Sequence, residues 1–274
     1  MVQPIRNTSS AHFGRLLDAL APYHSRIEDS YLGRASLRIL LPDIRGPVLV
    51  VGAGQGLIVQ ELRDRGLHCD GVDFSAEMIK YARARRGLRI VRADAEALPF
   101  RRGAYGTLIY ASGVVDFIAD VTRIRMIMAD ARRVAGESGK VFVAFYRFSD
   151  AQERFLSRLG LLRNGVLFVR SSLELHRLPP HRALRWVAQR ADTGAWQAGV
   201  LLLRTLLFSS TQEKAMGVTM QGVFKRADDP ESLIDSAPVT QPYRDEEQVR
   251  RLFGSLSVPV KRVLRSGACW VVQI

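Results

Sequence analysis

The feature that most constrains this chain is an apolar run that stops at closely spaced glycines and is followed, about twenty residues later, by an acid. Residues 48–56 read VLVVGAGQG, and Asp73 ends the stretch CDGVD. The run is β-branched and does not alternate, so it predicts a strand covered on both faces, and its glycines let the chain turn into a helix that begins near Leu57. This pairing predicts a nucleotide-type site at the carboxyl edge of a parallel sheet.

The predicted site has a definite chemistry. Free N–H groups at the start of the helix suit a carboxylate or a phosphate, and the two oxygens of Asp73 can accept from the two hydroxyls of a ribose. A dinucleotide fingerprint requires a further glycine where Leu57 stands, which weakens the hydride-transfer interpretation. A purely structural alternative is that the glycines only permit close packing of helix on strand.

The elements that follow extend the pattern. We predict a helix over Ser75–Arg86, a strand over Leu88–Arg92, the loop ADAEALPF at 93–100, and a strand over Thr107–Ala111 that leads into SGVVDF. This series resembles the class I S-adenosylmethionine-dependent methyltransferases, in particular the small-molecule branch that includes the ubiquinone/menaquinone methyltransferase-like proteins. The resemblance implies an α/β fold with a Rossmann-like, seven-stranded, mostly parallel sheet and an antiparallel C-terminal hairpin, here with an inserted, mainly helical cap.

The resemblance also implies which residues hold S-adenosylmethionine. The methionine end lies along the glycine turn and the residues after the fourth strand, the ribose lies at the acid after the second strand, and the adenine lies near the ADAEALPF loop. The implied contacts are Gly52, Ala53, Gly54, Ser112 and Gly113 for the methionine portion, Asp73, Phe74 and Met78 for the ribose or base, and Asp94 and Ala95 for the adenine.

One position departs from the family pattern. The resembling proteins carry an acid two residues before the first glycine, where it neutralises the ammonium group of the cofactor, and this chain has Val50. An unpaired ammonium in a partly dry site is costly, so we expect another acceptor to serve. One alternative is a degenerate protein that binds S-adenosylmethionine weakly or not at all. Another is a non-catalytic protein that binds S-adenosylmethionine or serves in assembly.

The chain divides into three predicted parts. Residues 1–44 form a helical cover that places Tyr23 and His24 over the cofactor, and residues 45–148 with 243–274 form the S-adenosylmethionine-binding core. The core is expected to include a fifth strand over Lys140–Tyr146 and to close with a helix over Asp245–Phe253 and strands over Val258–Leu264 and Ala268–Ile274. Residues 149–242 are an insertion that we expect to form the cap and to contact the acceptor.

The insertion is apolar and basic. Its apolar stretches at 159–169, 183–191 and 196–208 are broken by arginines, and residues 151–220 carry ten basic against four acidic residues. Such a segment suits a cap that rests on an anionic lipid surface or covers a long apolar acceptor. A helical lid packed on the core, with a homodimer contact, is the plainer alternative. The formal net charge of +13 also favours an anionic partner, although heavy arginine use can reflect a GC-rich genome.

No residue stands out as a catalytic base. His24, Asp116, His176 and His181 are weak candidates, because imidazole titrates near neutrality and Asp116 follows the fourth strand. Methyl transfer from a sulfonium depends on positioning, so a strong base is not required. The two cysteines, Cys69 and Cys269, lack further ligands at metal spacing, so we expect no metal.

The sequence therefore predicts a methyltransferase that acts on a small, apolar or lipid-like acceptor. An RNA methyltransferase is the alternative that the charge favours, although no NPPY-type or Pro-Cys motif follows the fourth strand. Without a secretory h-region or an apolar run of about 18 residues, we expect a cytoplasmic protein, with peripheral contact at the inner membrane face as a further hypothesis.

Overall fold

The computed structural model divides the chain into two compact units. The core unit consists of Glu28–Arg147 and Arg244–Ile274, and the second unit consists of Met1–Ile27 and Phe148–Tyr243. The structure describes residues 18–26, 33–116, 118, 120–148, 150–191, 194, 196–200, 223–224, 229, 231, 234, 241–242, 245–266 and 269–274.

The described part of the chain contains two sheets and the helices that accompany them. The strands are β1 (Val48–Val51), β2 (Cys69–Asp73), β3 (Val91–Arg92), β4 (Thr107–Tyr110), β5 (Lys140–Tyr146), β6 (Leu162–Arg163), β7 (Val166–Leu167), β8 (Gln241–Pro242), β9 (Arg262–Ser266) and β10 (Cys269–Gln273). The helices are α1 (Arg34–Leu40), α2 (Leu57–Arg63), α3 (Ala76–Arg86), α4 (Val121–Ala135), α5 (Asp150–Arg158), α6 (Val169–Arg177), α7 (Pro180–Arg190) and α8 (Glu246–Ser255), with 3₁₀ turns at Ala21–Arg26 and Leu41–Asp43.

The core unit contains a seven-stranded sheet with the order β3-β2-β1-β4-β5-β10-β9. Strands β1 to β5 are parallel, and β10 runs antiparallel to both β5 and β9. The strand order reverses at β1, which pairs with β2 on one side and β4 on the other, and ligands of open α/β sheets bind at such a switch point. The predicted fold is therefore confirmed.

Two apolar layers cover the sheet of the core unit. On one face α4 and α8 pack through Ile124, Ile127, Val249 and Phe253 against Leu49, Leu108, Tyr110, Val143 and Phe145. On the other face α1 and α2 pack through Leu37, Leu40, Ile58, Val59 and Leu62 against Val48, Val50, Ile109, Phe142 and Ala144. Because β1 and β4 are buried on both faces, their residues are apolar without alternation, as the sequence indicated.

Local signals place the helix ends in the core unit. The Ser75 Oγ accepts from the Met78 N–H at the start of α3, and Gly87 ends that helix in the left-handed region. A capping box begins α8, where Asp245 and Gln248 each accept from the other's backbone N–H at 2.7 and 2.9 Å. Edge strand β3 covers only Val91–Arg92, shorter than predicted, because it pairs with β2 alone.

In its described residues, the second unit contains the 3₁₀ turn Ala21–Arg26, α5, α6, α7 and a small antiparallel sheet of β6, β7 and β8. Residues 159–169 do not form one apolar segment. Asn164 and Gly165 have φ values of 50° and 71°, which close a tight hairpin between β6 and β7. An Asn-Gly pair is a strong hairpin signal, although no hairpin was predicted here from the sequence. Most of the stretch at 196–208 lies outside the described residues, as do most of residues 1–32.

Candidate functional site

The loop after β1 turns at Gly52, a position where only glycine fits without strain. Gly52 has φ 74°, and a Cβ there would lie 2.3 Å from the Cγ2 of Val114. The N–H groups of Gly52 and Ala53 both donate to the Val72 carbonyl at 2.9 Å, so the loop is anchored to β2. Since Val114 follows β4, the missing side chain lets the loops after β1 and β4 touch at the switch point of the sheet.

Asp73 ends β2 beside this loop, and its carboxylate is 8% exposed. Its Oδ2 accepts from the Gly54 N–H at 2.7 Å, and its Oδ1 accepts from the Ser75 N–H at 2.9 Å. A carboxylate has about four acceptor positions, and the hydroxyls of a ribose are donors that suit such positions. Asp73 therefore holds the shape of the glycine loop in addition to the ligand role that the sequence predicted.

The residues predicted for the adenine lie on the neighbouring loops. Phe74 is 40% exposed, which is unusual for a large apolar side chain and suits a surface covered by an aromatic ring. Met78 lies in the first turn of α3 and is buried, and Ala95 is half-buried. Asp94 is exposed, and its Oδ1 accepts from the Glu96 N–H at 3.0 Å, so its backbone is turned tightly at the place where the adenine is expected.

Side chains of α4 hold the ADAEALPF loop, a role that the sequence analysis did not identify. The Asp130 Oδ2 accepts from the Leu98 N–H at 2.9 Å, and Arg133 donates to the Leu98 carbonyl at 3.0 Å. Arg123 pairs with Glu96, and this hydrogen-bonded carboxylate raises the pKa of Arg123. The charged face of α4 was visible in the sequence, but nothing local indicated which loop it would meet.

The loop after β4 carries Ser112 and Gly113, and Asp116 attaches it to β5. The Asp116 carboxylate is buried, and it accepts from the N–H groups of Gly113 and Tyr146, both at 2.6 Å. These bonds join the ends of two strands that diverge beyond their last paired residues. Asp116, a weak candidate for catalysis, is thus placed as a brace of this loop.

The two thiols are buried structural groups. Cys69 lies in β2, and burial raises the pKa of its thiol to about 12. Burial also raises the pKa of the Cys269 thiol to about 12, opposed by its hydrogen bond to Ser112 at 3.6 Å. In the described residues, no group of three or more His, Cys, Asp or Glu side chains is arranged to hold a metal ion.

Val50 is 1% exposed and packs among apolar side chains of β1, β4 and α2. Its side chain is part of the core between the sheet and α2, so the position cannot accept a charged group without burying it.

The other predicted residues belong to the second unit. Tyr23 and His24 lie in the 3₁₀ turn Ala21–Arg26, and His181 is exposed on α7. His176 lies on α6, and its side chain is outside the described part. The structure thus brings together the predicted residues of the core unit at one sheet edge, and the roles of all of them stay predictions.

The fold and the site of the core unit define a class. A sheet of this order with a glycine turn after β1 and an acid after β2 at its switch point is the architecture of the class I S-adenosylmethionine-dependent methyltransferases. Residues 49–143 match the family model described as a methyltransferase domain. Residues 49–143 are therefore a methyltransferase domain with the class I fold, and S-adenosylmethionine is the cofactor of that class.

Individual proteins are similar to this chain in sequence or in fold. A demethylmenaquinone methyltransferase of Renibacterium salmoninarum is 32% identical over 98 residues, which are 35% of this chain. The chain spans 40% of the length of that relative. Among solved structures, a Pyrococcus horikoshii protein has a TM-score of 0.51 at 18% identity, covering 92% of this chain and 89% of its own. A Methanosarcina mazei S-adenosylmethionine-dependent methyltransferase has a TM-score of 0.50 at 12% identity, covering 86% and 95%.

Proposed function

We propose that the protein is an S-adenosylmethionine-dependent methyltransferase that acts on a small, apolar acceptor. The observation that carries this proposal is the pair of contacts at the sheet switch point, where Asp73 braces the glycine loop and Gly52 admits Val114. These contacts preform a turn of main chain, held by one carboxylate, at the place predicted for a nucleoside. The match of residues 49–143 to a methyltransferase domain makes methyl transfer the chemistry that this turn serves best.

The residues at this edge fit the cofactor without a metal or a strong base. When bound, S-adenosylmethionine would supply an activated methyl group, which the acceptor attacks in line while S-adenosylhomocysteine leaves. Asp73 would hold the ribose, Phe74 would cover the adenine, and Ser112 and Gly113 would border the methionine portion. Positioning of this kind supplies most of the rate in displacement reactions, which agrees with a buried and already engaged Asp116.

The acceptor class is a further part of the proposal. The relative from Renibacterium salmoninarum bears the name of a demethylmenaquinone methyltransferase, and quinone-type molecules are small, aromatic and apolar. We therefore favour an aromatic acceptor of this kind over nucleic acid. The experiment is methyl transfer from radiolabelled S-adenosylmethionine to a panel of naphthoquinols and to tRNA, after calorimetry with S-adenosylhomocysteine.

The outcomes of this experiment are distinct. Binding of S-adenosylhomocysteine together with labelled naphthoquinol supports the proposal. If tRNA is labelled and the quinol is not, the acceptor is nucleic acid and the proposed apolar acceptor is wrong. The absence of S-adenosylhomocysteine binding would favour a degenerate domain, which the loss of the acid at Val50 first brought to attention.

We also propose that the second unit makes peripheral contact with anionic lipid. The exposed face of α7 carries Arg182, Arg185 and Arg190, and that helix contains no acid. Arg190 lies 4.1 Å from the Trp186 ring centroid, and Trp196 is 83% exposed. Arginine with tryptophan on one helix face suits headgroups and the interface beneath them. No helix in the described residues is long and apolar enough to cross a membrane.

Vesicle sedimentation tests the lipid proposal. The intact protein should sediment with phosphatidylglycerol vesicles more than with phosphatidylcholine vesicles, and added salt should reduce the difference. The variant Arg182→Glu/Arg185→Glu should lose this preference, whereas Arg250→Glu/Arg251→Glu, which reverses two exposed charges on α8 of the core unit, should keep it. Equal loss in both variants would mean that net charge alone drives the binding.

A further inference from the structure

A buried arginine and a tryptophan with an unused donor lie side by side at the end of β5. Arg147 directly follows β5 and is 8% exposed, and its guanidinium carbon lies 5.5 Å from the Trp270 ring centroid. Trp270 lies on β10, opposite Phe145 of β5. This stacked pair belongs to the core unit, and the sequence analysis assigned no role to either residue.

The indole donor of Trp270 is the informative atom. Its Nε1 is buried and has no hydrogen-bond partner in the part of the chain that the structure describes. A buried N–H without a partner is rare in folded proteins and costs free energy that a ligand can recover. Because the indole N–H can only donate, the missing group must be an acceptor atom.

The surrounding charge selects the kind of acceptor atom. The guanidinium over the ring of Trp270 places a positive charge beside this donor, and its burial limits screening by salt. An oxygen that carries negative charge is stabilised there more than a neutral oxygen. The Arg265 guanidinium lies 5.9 Å from the same ring, but Arg265 is exposed and its field is screened.

The position of the pair relates it to the methyl-transfer edge. Asp116 accepts from the N–H of Tyr146, the residue before Arg147, and from the N–H of Gly113 in the loop predicted to face the acceptor. The same carboxylate thus holds both the loop after β4 and the end of β5. The backbone of Arg147 is therefore fixed relative to Ser112 and Gly113 rather than left to the mobility of a loop.

We propose that Arg147 and the Nε1–H of Trp270 form a subsite for an ionised hydroxyl oxygen of the acceptor, such as a phenolate or enolate. This inference rests on the proposed methyltransferase function and specifies its substrate class. The hydroxyl proton passes to water when the acceptor binds as the anion. The nucleophilic atom of that anion then forms a bond to the methyl carbon, while the methyl–sulfur bond breaks and its electron pair remains on sulfur.

The test uses the intact chain saturated with S-adenosylhomocysteine and the probe 4-nitrophenol, whose ionised form absorbs at longer wavelength than its neutral form. The protein should bind the anion preferentially, so the apparent pKa of the probe should fall when it binds. Trp270→Phe keeps the ring and removes the N–H, and it should weaken anion binding about tenfold or more, as for loss of a charge-assisted bond. Arg147→Met should abolish the preference for the anion, and Arg147→Lys should retain part of it.

Two matched controls make the result specific. Arg265→Met removes an exposed guanidinium from the same indole, and Trp186→Phe removes an indole N–H from the second unit; both should bind the anion like the unaltered protein. Calorimetry with S-adenosylhomocysteine confirms that each variant retains a folded site. The proposal is overturned if the intact protein shows no preference for the anion, if Trp270→Phe and Arg147→Met bind as tightly as the intact chain, or if Arg265→Met has the same effect.

The test separates this inference from the proposed function. If S-adenosylhomocysteine does not bind but the anion preference still depends on Arg147, the result supports the subsite and contradicts the proposed methyltransferase function. If S-adenosylhomocysteine binds and the probe does not distinguish the variants, the cofactor site stands and this subsite falls.

Discussion

At the scale of single residues, the Asp73 carboxylate has an observed structural role and a predicted role in ligand binding. Its oxygens accept from the N–H groups of Gly54 and Ser75, so they shape the loop, and the ribose of the cofactor is the ligand predicted for the same carboxylate. We therefore expect ligand affinity and loop stability to be coupled at this residue. Although Asp73 lies at the end of a strand, its side chain is buried, so we expect its substitution to destabilise the fold as well.

We predict that Asp73→Ala weakens S-adenosylhomocysteine binding by about 10- to 100-fold and lowers the free energy of unfolding by about 1–3 kcal/mol. Two backbone donors lose their acceptor at the same time as the ribose loses its partner. Calorimetry and urea unfolding measure the two effects. Asp64→Ala removes an exposed acid just after α2 and should change neither quantity. Unchanged affinity in Asp73→Ala would remove this edge as the cofactor site.

A second residue, Val50, tests how the chain compensates for the absent acid. Its side chain packs in the layer between the sheet and α2, so Val50→Asp would bury a carboxylate among apolar groups. We predict a loss of about 3 kcal/mol or more in the free energy of unfolding, measured in urea, and a smaller loss for the near-isosteric Val50→Thr. A stable Val50→Asp protein that binds S-adenosylhomocysteine more tightly would show instead that this carboxylate reaches the ammonium group.

At the scale of elements, the loops after β1, β4 and β5 form one connected edge. Gly52 lies against Val114, and Asp116 joins Gly113 to Tyr146. Hydrogen bonds from main-chain donors hold the loops after β1 and β4, which gives the edge a defined shape before any ligand binds. Preformed geometry of this kind lowers the entropic cost of binding.

Two glycines provide a matched test of this connection. Gly52 and Gly66 both have positive φ, 74° and 79°, but an added Cβ meets Val114 at 2.3 Å in the first and nothing within 4 Å in the second. Gly66→Ala should therefore lose only about 1 kcal/mol through backbone strain. Gly52→Ala should lose more and should also weaken S-adenosylhomocysteine binding at least about tenfold, measured by thermal unfolding and calorimetry. Equal effects in both variants would mean that the contact between the two loops is unimportant.

At the scale of the whole molecule, the buried thiols give the core unit a pH limit. Burial raises the pKa of both Cys69 and Cys269 from an ordinary value of 9.0 to about 12. A raised folded-state pKa means that the stabilisation is complete below pH 9 and is lost as the pH rises towards 12, because the unfolded chain ionises first.

We predict that the free energy of unfolding falls as the pH rises above 9, with an upper limit of about 4 kcal/mol for each thiol over the full range. Urea unfolding at several pH values measures this decline. The double variant Cys69→Ala/Cys269→Ala should be less stable at neutral pH and should show a flatter pH dependence. A variant whose stability falls as steeply as that of the unaltered protein would assign the decline to other groups.

The sequence by itself determined the fold class and the edge of the sheet that holds the site. Apolar runs without alternation, the glycine turn after β1 and the acid after β2 are local patterns, and each is imposed by local geometry: burial on both faces, positive φ and a strand end. For that reason the strands of the core could be predicted, and the family resemblance of the same segments indicated a methyltransferase domain. The Asn164-Gly165 hairpin was equally readable, because its turn depends on two adjacent residues.

Tertiary structure alone decided what Asp116, Val50 and Trp270 do. Asp116 accepts from an N–H thirty residues away, Val50 is packed from several elements at once, and Trp270 meets Arg147 across two strands that are far apart in the chain. The contacts of a side chain depend on how whole elements pack. A residue's type and its place in a local sequence pattern do not reveal those contacts. Long-range contacts of this kind place the Asp116 carboxylate between two loops, bury Val50 in the core and bring Trp270 beside Arg147.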